Sequence, residues 1–181
     1  ARDPDLLVLD LHVTYWNGPA YRDPYALTAA TARQDWYARL DRSREVYTPQ
    51  AVIDGRTVLV GSRAGPMRAA IAAARPDAAM AVPLRIARAG DTVAVTIGAG
   101  PAPPVPARVL LFGYDAAHVT HVGGGENAGA VLAEADVVRA LAPIGAWRGA
   151  PATFRAPRPE GAHIAVLLQA ADGRILGAAR K

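Results

Sequence analysis

The chain has 181 residues, of which 51% are apolar and 20% charged; that is enough hydrophobic material for a packed core and too little charge for a disordered chain. It contains no cysteine, which excludes disulfides, thiolate nucleophiles and cysteine-ligated metals from this polypeptide. The formal net charge is +4, but the arginines are scattered and aromatics make up only 6%, so the clustered cations and stacking rings of a nucleic-acid groove are missing and no nucleic-acid partner is expected.

No apolar run approaches the roughly 18 residues needed to span a bilayer, so no membrane span is expected. No basic stretch leads into a short apolar one, and Ala1 runs almost directly into strand-like sequence, so the N-terminus reads as trimmed. Leu6 to Val13 is a nearly continuous apolar run, as in a strand covered on both faces of a parallel sheet. Asn17-Gly18-Pro19 and Asp23-Pro24 mark turns. From Thr28 to Leu40 the pattern is helical, with Thr28 as N-cap and Ala32, Trp36 and Leu40 on one face. Asp54-Gly55 between apolar runs predicts a hairpin. A second helix fits Pro66 to Ala74, with Pro66 in its first turn. Residues 1–80 thus read as one α/β unit.

Beyond Asp77 the texture changes. Val82–Ala87 and Thr92–Ile97 read as a hairpin, and Gly98 to Pro106, with four prolines, as a loop or edge. Val109–Tyr114 and His118–Val122 read as short strands on either side of Asp115. Ala130 to Ala142 fits helix or strand, with its β surroundings favouring strand. Ile164–Leu168 and Ile175–Ala178 form a last pair. Residues 81–181 are therefore expected to form a mainly antiparallel, sandwich-like β domain.

Several groups of residues could carry chemistry. Tyr47-Thr48-Pro49 precedes a strand, and an X-Pro bond can be cis at small cost; such a turn can offer backbone to a visiting extended segment. His12, Tyr15, Trp16 and Tyr21 follow the first apolar run and could wall a pocket or simply pack beneath a loop. Gly123 to Gly129 looks superficially like a dinucleotide loop, but Glu126 puts negative charge where pyrophosphate would sit; a turn projecting Glu126 and Asn127 fits better. His118 and His121 would point to opposite faces of a strand and could not chelate together. Neither Ser43 nor Ser62 lies in a nucleophile elbow, and no carboxylate pair stands out. No cofactor is expected.

The stretches His12-Val13-Thr14-Tyr15-Trp16-Asn17, Tyr21-Arg22-Asp23, Thr31-Ala32-Arg33-Gln34 with Tyr37, and Val46-Tyr47-Thr48-Pro49-Gln50 with Asp54-Gly55 resemble those of a family of uncharacterised bacterial secreted proteins with a thioredoxin-like domain, domain of unknown function 1223. Gly125-Glu126-Asn127-Ala128-Gly129, Val138-Arg139, Gly145-Ala146-Trp147-Arg148-Gly149 and Gly173 to Ala179 follow in the family's order. Thr14 stands where an acidic residue is expected, and Tyr21 where Trp is expected.

The resemblance implies an α/β, thioredoxin-like domain followed by a β-rich one, with Pro49 as the cis-proline that faces a redox motif. It implies a periplasmic or secreted location. Members open with a strand and a C-x-x-C-type helix that nothing here matches, so Leu6–Val13 is expected to be the second strand of an incomplete domain, with an exposed sheet edge open to self-association. Two functions follow. One is a thiol–disulfide oxidoreductase in intact form, inactive as written, with Thr48 and Pro49 holding extended substrate and His12, Tyr15, Trp16, Arg33, Gln34, Glu126 and Asn127 around it. The other is a non-catalytic module that binds a peptide or an envelope component. A nucleotide-binding enzyme is a distant third.

Overall fold

The computed structural model describes residues 3, 6–41, 45–74, 82–124 and 128–181. The elements run α1 (Thr28–Leu40), β1 (Gln50–Ile53), β2 (Thr57–Val60), α2 (Ala64–Ala74), β3 (Leu84–Ala89), β4 (Thr92–Ile97), β5 (Ala107–His121), β6 (Val131–Trp147), β7 (Ala152–Pro157), β8 (His163–Gln169) and β9 (Ile175–Arg180). Among the described residues these strands form three antiparallel sheets, ordered β1-β2, β3-β4-β7 and β6-β5-β8-β9. The fold is mixed α/β and mostly antiparallel.

The four-stranded sheet is the middle layer, and strand alternation explains it. Val109 and Leu111 of β5 and Ile164, Val166 and Leu168 of β8 point one way, onto Val93, Val95 and Ile97 of β4 and onto Trp147. Leu110, Phe112, Tyr114 and Ala165 point the other way. That second face is covered by Leu7, Leu9, Leu11 and Leu27. Burial on both faces is why β5 reads as a continuous apolar run.

Several expectations need correction. Leu6–Val13 is not a paired strand of a parallel sheet. Its backbone makes one parallel bridge, through Asp10 N–H to the Asp136 carbonyl and Val138 N–H to the Asp10 carbonyl, each 2.9 Å. Leu7, Leu9 and Leu11 face the core while Val8 is 54% exposed, so one face is covered rather than two. The buried stripe of α1 is Ala30, Gln34, Tyr37 and Ala38, not Ala32, Trp36 and Leu40; polar Gln34 is turned inward by its hydrogen bonds. Leu27, without a side-chain cap, takes the N-cap place expected for Thr28. Asp115 does not interrupt β5, because its carboxylate is fully engaged (below). β7 lies where the sequence predicts no strand, β6 runs as strand as far as Trp147, and β3 begins at Leu84.

The hairpin is as expected: Asp54 and Gly55 both have positive φ, 50° and 71°, as a type I′ turn requires. It docks on the β8–β9 turn, where Ile175 N–H donates to the Asp54 carbonyl at 3.1 Å. A Cβ on Gly55 would lie 1.8 Å from the Gly173 carbonyl oxygen.

Candidate functional site

The sheet's N-terminal cover ends in a short 3-10 turn, Thr14–Trp16. Thr14 is tied to α1 by its N–H donating to Thr31 Oγ1 at 2.8 Å. Tyr15 donates its hydroxyl to Gln34 Oε1 at 3.0 Å, and Gln34 Nε2 donates to the Tyr47 carbonyl at 2.7 Å. Trp16 Nε1–H donates to Thr48 Oγ1 at 2.9 Å. The Thr48–Pro49 bond is cis, and the Pro49 carbonyl accepts Gly61 N–H at 2.8 Å. Four of the candidates, Tyr15, Trp16, Thr48 and Pro49, therefore meet at one surface, with Gln34 buried beneath it. Trp16 is 70% exposed there, and Tyr15 41%.

His12 belongs to a different cluster. Its Nδ1 lies 2.6 Å from Asp23 Oδ2, and its Nε2 3.5 Å from Asp10 and 3.7 Å from Glu134. The hydrogen bond to Asp10 pushes its pKa up most; burial opposes this, Asp23 adds to it, and the result is about 9. His12 is thus an imidazolium at neutral pH, with carboxylates at both nitrogens. Tyr25 packs edge-on against it, ring centroids 5.8 Å apart, and the Tyr25 hydroxyl lies 3.1 Å from His118 Nδ1. His118 Nε2 is 2.8 Å from Asp115 Oδ2. Asp115 also accepts from Arg139 Nη1 at 3.0 Å and Ala162 N–H at 2.8 Å. Burial alone would raise the Asp115 carboxyl, but the Ala162 N–H, His118 and Arg139 together hold it below its ordinary value. Arg139 reaches Asp115 from a register shift in the β5–β6 ladder beside Gly113 and Tyr114, a bulge that re-aims a side chain. Tyr21 stands near Asp23 and Glu134; burial, then those two charges, push its hydroxyl up.

Arg33 points away from both groups. Its Nη1 donates to Gln169 Oε1 at 2.6 Å and its Nη2 to the Tyr37 hydroxyl at 3.1 Å. Gln169, fully buried, in turn donates to Tyr37 and to the Gly173 carbonyl. Glu126 and Asn127 lie outside the described residues. His118 faces inward and His121 is exposed, on opposite sides of β5 as the spacing required. Asp10, Tyr25 and Glu134 carried no local signal, and Asp23, Asp115 and Arg139 none that joined them to His12 or His118, because the fold brings them together from distant parts of the chain, as with Tyr25 and His118.

The family model described as protein of unknown function (DUF1223) matches residues 1–169. The chain belongs to the DUF1223 family. Among solved structures it is similar to a crystal structure of a protein from Agrobacterium tumefaciens, with 29% sequence identity and a TM-score of 0.79, covering 95% of this chain and 78% of that one. No curated protein matches.

In this DUF1223 protein the two groups differ in chemistry. Around His12 and Asp115 the ring nitrogens and carboxylates contact one another and Arg139, so the cluster ties loop, N-terminal segment and β5–β6 ladder together. At the Trp16–Thr48 surface the aromatic faces are fixed but open to solvent. Among the described residues no group of three His, Asp or Glu side chains is placed to hold a metal ion, and no described helix is long and apolar enough to cross a membrane.

Proposed function

We propose that these residues bind an extended polypeptide segment along Trp16, Tyr15 and the Thr48–Pro49 turn, a role that needs no cysteine among them. The observation that carries the reading is Trp16: a large aromatic, 70% exposed, yet fixed by its indole N–H on Thr48. A ring held in place before binding loses little freedom on contact, and Trp is among the side chains enriched at interface hot spots. The neighbouring strand supports it. Among the described residues β1, which starts one residue after Pro49, pairs only with β2, so its outer edge can add a visiting strand.

The redox role that the resemblance implies, with its periplasmic or secreted setting, is a second reading favoured by the same open surface beside Pro49. It requires thiols supplied from outside these cysteine-free residues.

Display selection of short peptides on the whole chain tests the first reading. Selected peptides are expected to quench Trp16 fluorescence, and Trp16→Ala is expected to weaken them about 30-fold, the scale of an interface anchor. Thr48→Ala is expected to weaken them less. Affinity indifferent to Trp16→Ala would refute the site.

A further inference from the structure

We infer that the seam between α1 and the β5–β8 ladder is a binding site for a phosphate group, free or as a monoester. The argument begins with an unbalanced charge. Arg33 is packed against the rings of Tyr37 and Phe112, its guanidinium carbon 5.1 Å and 5.9 Å from their centroids. Both its hydrogen-bond acceptors, Gln169 Oε1 and the Tyr37 hydroxyl, are neutral. Among the described residues no carboxylate pairs with it. Burial lowers its pKa most, and the other charged side chain that bears on it is a second cation, Arg108. An arginine does not escape by losing its proton; Arg33 is half-buried, and a partly desolvated cation without an anion carries a cost.

Arg108 sits opposite Gln169 in the β5–β8 register, so both side chains share the sheet face that α1 covers. Its guanidinium lies over the Trp36 ring, 4.3 Å from the centroid. Trp36 and Tyr37 are in ring contact, 4.9 Å apart. Two arginines are thus carried on adjoining rings, Arg33 with N–H groups to spare and Arg108 with no side-chain hydrogen bond or ion pair among the described residues. Stacking orients a guanidinium while leaving its N–H edge available, and the planar fork matches a tetrahedral oxyanion in bidentate fashion. Two positive charges, neither of them ion-paired among the described residues, match a dianion better than a single carboxylate. This site is separate from the Trp16–Thr48 surface, which uses Gln34, and does not depend on that reading.

Thermal unfolding of the whole chain at neutral pH, at matched ionic strength in inorganic phosphate, acetate or chloride, is the test. Phosphate is expected to raise Tm saturably, by about 3–6 °C at about ten times its Kd, while acetate and chloride do not. Phenyl phosphate is expected to do the same, showing that an ester is accepted. Arg108→Ala removes an exposed side chain and should fold and lose the rise; Arg85→Ala, an exposed cation on β3, should keep it. Should Arg108→Ala fail to fold, Arg108→Lys, which keeps the charge but not the fork, should weaken phosphate about ten-fold. The proposal is overturned if phosphate does no more than chloride, if acetate equals phosphate, or if the Arg108 variants keep the full rise.

Discussion

At the scale of single residues, His12 shows how a side chain flagged for one role can serve another. Beside Trp16 in sequence it looks like a pocket wall; in the fold it is a cation between Asp10, Asp23 and Glu134. Its folded pKa of about 9 lies above the ordinary 6.5. The stabilisation from this shift is therefore complete below pH about 6.5 and disappears as pH rises through about 9. We predict that His12→Asn costs about 1–2 kcal/mol at pH about 6, allowing for partial solvent access, and that the difference from wild type narrows towards pH about 10. Urea denaturation of both proteins across that range measures it, and a pH-independent difference would contradict the ion-pair origin. Asp115 has the opposite sign: held below its ordinary value, it contributes stability present above the usual carboxylate range and lost as pH falls through its lowered pKa. Asp115→Asn should accordingly cost most at neutral pH and little in acid.

At the scale of elements, the sequence was most readable where a short-range rule suffices. Asp54-Gly55 names its own turn type, and Thr92–Ile97 alternates cleanly. The inward face of α1 was misread because apolar spacing cannot register a glutamine buried by its bonds to Tyr15 and Tyr47. β7 is not legible in the sequence because Ala152, Phe154 and Ala156 are a weak apolar alternation ending in proline. In the candidate site, Trp16, Thr48 and Pro49 could be picked out as an aromatic and a turn, whereas the partners of His12 and His118 come together only after β5 and β6 pair. The docking of two turns gives a prediction at this scale. Gly55 combines φ of 71° with the 1.8 Å approach to Gly173, while Gly90 has φ of 60° with nothing within 4 Å. Gly90→Ala should cost only the backbone strain, about 1 kcal/mol. Gly55→Ala should cost about 2–3 kcal/mol, because backbone must also move. Equal losses in parallel denaturation curves would show that the two turns do not brace one another.

At the scale of the molecule, a division near residue 80 into an α/β unit and a β-rich unit remains a proposal, and the second core argues that the two units would not be independent. The middle sheet has an apolar back formed by Leu110, Phe112, Tyr114, Val138 and Ala165. What covers it comes from the first part of the chain: Leu7, Leu9, Leu11 and Leu27, with Arg33 over Phe112 and bonded to Gln169. A fragment of residues 82–181 would keep the three-stranded sheet on one face and present the other to water. Such a patch invites association, and at about 25 cal/mol per Å² its exposure removes a large part of a typical domain's net stability. We predict that this fragment, produced alone, self-associates or binds a hydrophobic dye, and that the whole chain unfolds in a single transition followed alike by tryptophan fluorescence and far-UV circular dichroism. Two resolved transitions, or a monomeric fragment that binds no dye, would establish instead that the β-rich part is a domain in its own right and that the N-terminal leucines merely rest on a surface able to stand in water.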